Sequence, residues 1–422
     1  MQSFSYINNI LHCEKVSIRE VCKKIKTPFY LYSSKAILDN FSILSKKFKG
    51  SNVLIAYAVK ANSNLAILRL LAKKGAGADV VSYGELIRAF QAGIPAKKIV
   101  FSGVGKTDFE ISYAIENKIL QFNIESDQEL LVIEKIAREK KIKANISIRI
   151  NPDIQAGGHP KISTGKKTDK FGISINKALQ VYVQAKNSPY LNIVGVDMHI
   201  GSQILQIKPF KESFKKIEKF CTLLESKNIK IKNLDLGGGL GINYSNTSSN
   251  DITLDYIDLV NSISKRTRKK VIIEPGRYLV ANSGILVATV IYKKQNENKK
   301  FIITNAGMND FLRPALYNAK HNVGLIQKEL YKDTSEKFDV VGPICETADV
   351  MIEDASLSYK IDRGDIIFID NVGAYGAAMS STYNSRGLIS EVLVKDNTFF
   401  QIRKNMKPNE FIKLEKIPTW LK

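Results

Sequence analysis

Lys60 lies in the run Ala56-Tyr57-Ala58-Val59-Lys60-Ala61-Asn62, after a short apolar stretch and between small side chains. An amine at the end of a buried strand can sit at a pocket mouth with little nearby bulk to exclude a flat ligand. Burial lowers a lysine's pKa, and a neutral amine attacks a carbonyl to form a Schiff base. That chemistry points to pyridoxal 5′-phosphate (PLP), provided the chain also supplies a phosphate cradle and a partner for the ring nitrogen. The plainer alternative is a surface lysine after a strand, in a chain carrying 63 Lys and Arg.

Other residues supply those parts. In LDLGGGLG at 234–241, Gly237, Gly238 and Gly239 follow an apolar run, and missing side chains let backbone N–H groups approach an anion. The spacing is neither GxGxxG nor a P-loop, and a glycine cluster alone is often only a turn. In EPGR at 274–277, the Glu274 carboxylate suits a pyridine nitrogen: a protonated ring draws electrons from the substrate α-carbon. Pro275 stiffens the turn, Gly276 offers a bare N–H for phosphate, and Arg277 can grip a carboxylate through two hydrogen bonds. A capped helix start with an exposed ion pair is the alternative there. His199, in HIGSQI at 199–204, can stack on a flat ring or be a satisfied core histidine, and Ser202 offers a hydroxyl to phosphate. Asp79 ends an apolar run and can orient polar groups or cap a helix.

These residues need a frame that brings them together. Eight short apolar runs occupy 53–59, 78–82, 99–102, 120–124, 146–150, 193–199, 234–236 and 271–274. Most are continuously apolar, as in strands buried on both faces, and segments of helical spacing at 65–71, 85–92, 128–137 and 210–224 lie between them. The alternation predicts a (β/α)8 TIM barrel over 31–280. Lys60, Asp79, His199, the glycines and Glu274 fall at or past strand ends on one face, with the glycines and EPGR after strands seven and eight, the usual phosphate site. A doubly wound open sheet explains the alternation but not the count of eight. Beyond 280, strand-like runs at 285–292, 300–304, 365–369 and 391–394 lack matching helices. A mainly antiparallel β domain of 1–30 and 281–422 is expected.

Composition sets bounds. The 422 residues, 44% hydrophobic, suffice for two cores. Cys13, Cys22, Cys221 and Cys345 are scattered without a CxxC pair, which argues against a disulfide framework or zinc site and fits a reducing cytoplasm. No signal peptide and no membrane span are expected. The net charge of +22 suggests nucleic acid at first sight, but the lysines are dispersed in pairs such as Lys46-Lys47 and Lys269-Lys270 without interleaved aromatics. No nucleic-acid partner is expected.

With AYAVKAN, HIGSQI, the triglycine loop and EPGR in this order, the chain resembles the fold-type III, alanine racemase-like PLP decarboxylases. Within them it is similar to those acting on meso-diaminopimelate, through HPKISTG at 159–165, KFG at 170–172, NAGMNDFLRPALY at 305–317, GPICETAD at 342–349 and GAYGAAMSSTYN at 373–384. The resemblance runs from about residue 28 to about 390 and implies decarboxylation of meso-2,6-diaminopimelate to L-lysine and CO2. It implies that Lys60 carries PLP, His199 stacks on the ring and Glu274 pairs with its nitrogen. It assigns Ser202, Gly237, Gly238, Gly239, Gly276 and Tyr375 to the phosphate, with Tyr375 also near substrate. It assigns Arg277, Arg313 and Tyr317 to the distal carboxylate and Glu346 to the distal ammonium. Cys345 is implied as proton donor, reaching with Glu346 from the partner in a homodimer; the residue-level alternative for Cys345 is a small buried hydrophobe. The family's CES pattern is here Cys345-Glu346-Thr347, which keeps the hydroxyl, and the lysine-heavy stretch 162–170 reads as a mobile lid. Rivals are decarboxylation of carboxynorspermidine, arginine or ornithine, racemisation, and PLP carriage without turnover.

Overall fold

The computed structural model describes residues 3–154, 169–244, 251–328 and 335–421. HPKISTG, and all of the stretch 162–170 except its last two residues, lie outside them. The chain divides into two units: Leu38–Asn243 with Ser248–Leu279, and Met1–Ile37 with Tyr244–Thr247 and Val280–Lys422.

The first unit contains eight barrel strands: β1 (Val53–Ala58), β2 (Gly77–Val80), β3 (Ile99–Phe101), β4 (Gln121–Ile124), β5 (Ala144–Asn151), β6 (Leu191–Asp197), β7 (Asn233–Asp235) and β8 (Lys270–Ile273). Every neighbouring pair is parallel. β8 pairs with β1, Val271 opposite Val53, so the sheet closes on itself and the open-sheet alternative is excluded. All eight expected runs become strands. Several helices between them begin where short polar side chains accept from free N–H groups, as Ser82 does from Glu85 and Ser126 from Glu129. Thr107 and Glu110 form a reciprocal capping box.

The strand interiors are less apolar than the runs suggested. Gln121 and Asn123 on β4, Ser147 and Arg149 on β5, and Asn233 and Asp235 on β7 are buried at two-residue spacing, hence on one face of each strand. Asn233 Nδ2 donates to Gln121 Oε1 (2.9 Å) and Asn123 Nδ2 to Asp235 Oδ2 (3.2 Å). β4 and β7 are not neighbours in the sheet, so these bonds cross the barrel interior.

In the second unit, Gly284–Asn296 pairs antiparallel with Lys299–Thr304, Ile366–Ile369 and Phe29–Ser33. Phe29–Ser33 runs parallel to Ser390–Lys395, which pairs antiparallel with Thr398–Arg403. All five residues of Phe29–Ser33 are buried, as a central strand requires. The strand therefore spans the expected boundary at 30/31, and the division falls instead at 37/38. A small sheet of Phe4–Ile7, Ile10–Cys13 and Val16–Ser17 shares this unit's core through Leu11, Phe29 and Ile285. Among the described residues no helix is long and apolar enough to cross a membrane.

Candidate active site

Lys60 sits in a single turn, Val59–Ala61, directly after β1. Its Nζ is 3.0 Å from Asp79 Oδ2; its side chain is 40% exposed, while that of Asp79 is fully buried. The amine is held in an ion pair at a partly open position. Asp79 lies within β2 rather than past its end, and its Oδ1 has no hydrogen-bond partner among the described residues.

Glu274 follows β8 and is buried. Its N–H donates to Gly237 C=O (2.8 Å), and its Oε1 accepts a long bond from Asn123 Nδ2 (3.4 Å). Carboxylate oxygens of Asp197, Asp235 and Glu274 lie within 4.8 Å of one another. Desolvation, then the charges of Asp235, Asp79 and Asp197, hold the Glu274 carboxyl well above the usual range, with Lys60 opposing. Burial likewise pushes Asp235 up to about 7. Burial and the neighbouring carboxylates act in the same direction here, each disfavouring a further negative charge, and outweigh Lys60 at Glu274 and Arg149 at Asp197.

The glycine loop is closed onto its neighbours. Gly237 has φ +66°, and a Cβ there would stand 2.6 Å from Met198 O; one on Gly238 would stand 2.3 Å from Glu274 O. This close approach lets the Gly238 N–H donate to His199 Nδ1 (3.0 Å). The His199 proton therefore sits on Nε2, and burial, followed by the charges of Arg149 and Lys60, holds its pKa well below the ordinary value. His199 is thus a neutral, oriented ring. Arg277 Nη2 donates to Ser202 Oγ (3.0 Å), joining EPGR to HIGSQI. Ala58 N–H donates to Pro275 C=O (3.3 Å), and a Cβ on Gly276 would touch those of Ala58 and Ala61 at 3.1 and 3.0 Å, so EPGR packs against the turn bearing Lys60. The barrel unit thus gathers Lys60, Asp79, His199, Ser202, the three glycines and EPGR.

The sheet unit carries the rest. Arg313 begins a short helix, Arg313–Tyr317, which ends with half-buried Tyr317. Arg313 is buried; its Nη1 lies 3.1 Å from Tyr244 Oη and 3.0 Å from His321 Nε2. Cys345 and Glu346 are exposed, which removes the buried-hydrophobe alternative for the thiol. Cys345 N–H donates to Asn384 Oδ1 (3.2 Å), and Tyr383 Oη donates to Glu346 Oε1. Tyr375 has φ +57°, a left-handed conformation rare for a bulky side chain and common where function constrains the backbone.

Several supporting residues were not singled out in the sequence. Arg149 Nη1 pairs with Glu125 Oε1 (2.7 Å), and Glu125 also accepts from Gly172 of KFG (2.8 Å). Asp349 accepts from Ile344 N–H (2.7 Å) and Met308 N–H (2.6 Å), tying the Cys345 loop to NAGMND. Asp349 and Tyr383 stand inside motifs already quoted; a charge or hydroxyl within a glycine-rich motif was the available signal. Arg149 and Glu125 carried none, because Arg149 lies in, and Glu125 directly follows, a run that reads as apolar.

Residues 34–281 match the family model described as the pyridoxal-dependent decarboxylase, pyridoxal binding domain. The chain is 46% identical over 396 residues to the diaminopimelate decarboxylase of Helicobacter pylori strain J99, covering 94% of this chain and 97% of that one. It is 43% identical over 399 residues to the Aquifex aeolicus diaminopimelate decarboxylase, covering 94% of each. Among solved structures, the M. jannaschii diaminopimelate decarboxylase with L-lysine superposes with a TM-score of 0.93 at 37% identity, covering 99% of each chain.

Proposed function

Because this chain belongs to the diaminopimelate decarboxylase family of pyridoxal-dependent decarboxylases, we propose that it converts meso-2,6-diaminopimelate to L-lysine and CO2 in lysine biosynthesis. The observation that carries this is the barrel cluster in which buried Glu274 shares one volume with Asp197 and Asp235 while Lys60 stands at the mouth against Asp79. These residues fit PLP: a protonated pyridine nitrogen is the cation the buried carboxylate needs, and the bare glycine backbones suit its phosphate. When bound, PLP supplies an electron sink for the pair left behind by departing CO2.

The chain's own groups divide the remaining work. Lys60 anchors the aldehyde, with Asp79 holding the amine in place. Glu274 holds the ring proton, and neutral His199 covers the ring without adding charge. Ser202, Gly237, Gly238, Gly239, Gly276 and Tyr375 would line the phosphate. Gly237 and Gly238 N–H donate to Asp235 and His199, so phosphate donation is assigned to the N–H groups of Gly239 and Gly276. Pro275 stiffens that turn, and Arg277 serves the same anion through its tie to Ser202. Arg277, Arg313 and Tyr317 receive the distal carboxylate and Glu346 the distal ammonium; a substrate with an amino-acid group at each end requires both signs of charge. Cys345, exposed and beside Glu346, returns a proton to the α-carbon. Its exposure supports its use across a homodimer, in which Cys345 and Glu346 serve the other subunit's Lys60. The four scattered cysteines, with no CxxC pair, support a location in a reducing cytoplasm.

The test is CO2 release from a panel of substrates by the purified holoenzyme. The expected result is a kcat/KM with meso-diaminopimelate at least about 100-fold above that with ornithine or arginine. A preference for ornithine overturns the assignment, and PLP binding without lysine formation supports a carrier.

A further inference from the structure

The Arg313 guanidinium is held by a network that no motif indicated. His321 is 6% exposed, as is Arg313. Its Nδ1 lies 2.8 Å from the Asp370 carbonyl oxygen and its Nε2 3.0 Å from Arg313 Nη1. Arginine has no acceptor and a carbonyl has no proton, so the tautomer is determined: Nδ1 carries hydrogen to Asp370, and the Nε2 lone pair accepts from Arg313. The ring is clamped edge-to-face between Tyr244 and Phe311, at 5.0 and 4.8 Å. The Asp370 carboxylate accepts from Asn322 N–H and Nδ2, both at 3.0 Å, and Asn322 Nδ2 also donates to Tyr244 C=O (3.1 Å). The arginine also lies over the Tyr244 ring, at 5.0 Å.

We propose that His321 is a positioning residue for Arg313: its uncharged imidazole accepts a hydrogen bond that sets the rotation of the guanidinium toward the substrate's distal carboxylate, and protonation of the ring releases it. This role rests on Arg313 binding that carboxylate. A protonated His321 would direct an N–H and a second positive charge at Arg313 from 3.0 Å. Among the described residues, the other charged or titratable groups around the ring include Tyr244, the Asp370 carboxylate, which accepts from Asn322, and the neighbouring Lys320, which is paired with Glu353 at 3.1 Å. Tyr244 Oη accepts from the same Nη1 at 3.1 Å, so the His321 ring is one of two acceptors that fix this nitrogen. The guanidinium is planar, and a bidentate grip depends on its rotation, so a loosened Arg313 keeps its charge but loses directional binding.

The ligands separate this effect from damage elsewhere. Loss of CO2 from one end of diaminopimelate leaves the other intact, so L-lysine keeps the distal carboxylate, whereas cadaverine lacks it. In the PLP-loaded enzyme, His321→Ala should raise KM and the lysine inhibition constant about tenfold, the loss expected for one hydrogen bond to a charged group. Its kcat and its inhibition by cadaverine should change by less than about twofold. His321→Gln, which keeps an acceptor but does not titrate, should recover most of the affinity. It should also abolish a rise in KM toward acid pH that the unsubstituted enzyme shows. Equal losses for lysine and cadaverine, or a His321→Gln variant with the same acid rise, overturn the proposal. Arg313→Gln is the control. If it raises KM while His321→Ala does not, the positioning role fails and the arginine's assignment stands. If Arg313→Gln leaves lysine affinity unchanged, the assignment of Arg313 itself fails.

Discussion

The carboxylates inside the barrel and the reactive groups of the Cys345 loop in the sheet unit are held in opposite ways. Asp197, Asp235 and Glu274 are buried together, so desolvation and mutual repulsion raise the pKa of each. In the sheet unit Cys345 and Glu346 are exposed on a loop that Asp349 ties down from below. The first arrangement is prepared for a cofactor that brings positive charge into a dry site. The second presents reactive groups whose chemistry depends on what comes to cover them. Arg313, in the same unit, is buried with His321 and held by hydrogen bonds, unlike Cys345 and Glu346.

Substitutions on the two sides should therefore fail differently. Lys60→Ala should show the largest effect, with kcat falling by roughly 10⁴-fold and no borohydride-trapped cofactor adduct at position 60. A stable adduct on another lysine would remove the barrel site from the chemistry. Glu274→Gln should retain cofactor yet lose about 10²–10³-fold in kcat, the usual cost of removing one charge-stabilising group. Unchanged turnover would mean the buried cluster has no electronic role.

Cys345→Ala should lower kcat by about 10²-fold at nearly unchanged KM. Mixing it in equal amounts with Lys60→Ala and allowing subunit exchange should restore about a quarter of wild-type activity, since half of the dimers are mixed and each rebuilds one of two sites. No recovery after demonstrated exchange would make each subunit self-sufficient.

The smallest effect concerns stability. Burial pushes the Asp235 carboxyl up to about 7, above the usual aspartate value of about 3.9. The folded state then binds more protons than the unfolded state between those values, so this group makes apoprotein stability fall as pH rises through that window. Asp235→Asn should flatten the fall, shifting the high-pH Tm of the apoprotein upward by about 2–4 °C, the size expected of about 1 kcal/mol. An unaltered Tm–pH curve would show that Asp235 is not strained by its neighbours.

Much of this was legible in the residues. Eight apolar runs separated by helical spacing predicted the barrel, because strands buried on both faces need such runs and parallel crossovers need helices. Lys60, Glu274 and the glycines declared themselves by type and by position at strand ends. The strand Phe29–Ser33 was harder to place, since its partners lie about 250 and 360 residues away in the chain. Arg149, Glu125 and Asp235 were hidden for a related reason: a single polar residue in an apolar run carries no sign of what faces it.

The order of side chains along the chain determined the closed parallel frame, the position of the amine after β1, and the glycine backbone that can meet an anion. Periodicity and missing Cβ atoms act locally, so they can be read without coordinates. Only the tertiary structure decided which charges meet: that Lys60 is paired with Asp79, that three carboxylates share one buried volume, and that His321 must be neutral against Arg313. Protonation depends on distance and solvent exclusion, and folding brings together groups that the sequence leaves far apart.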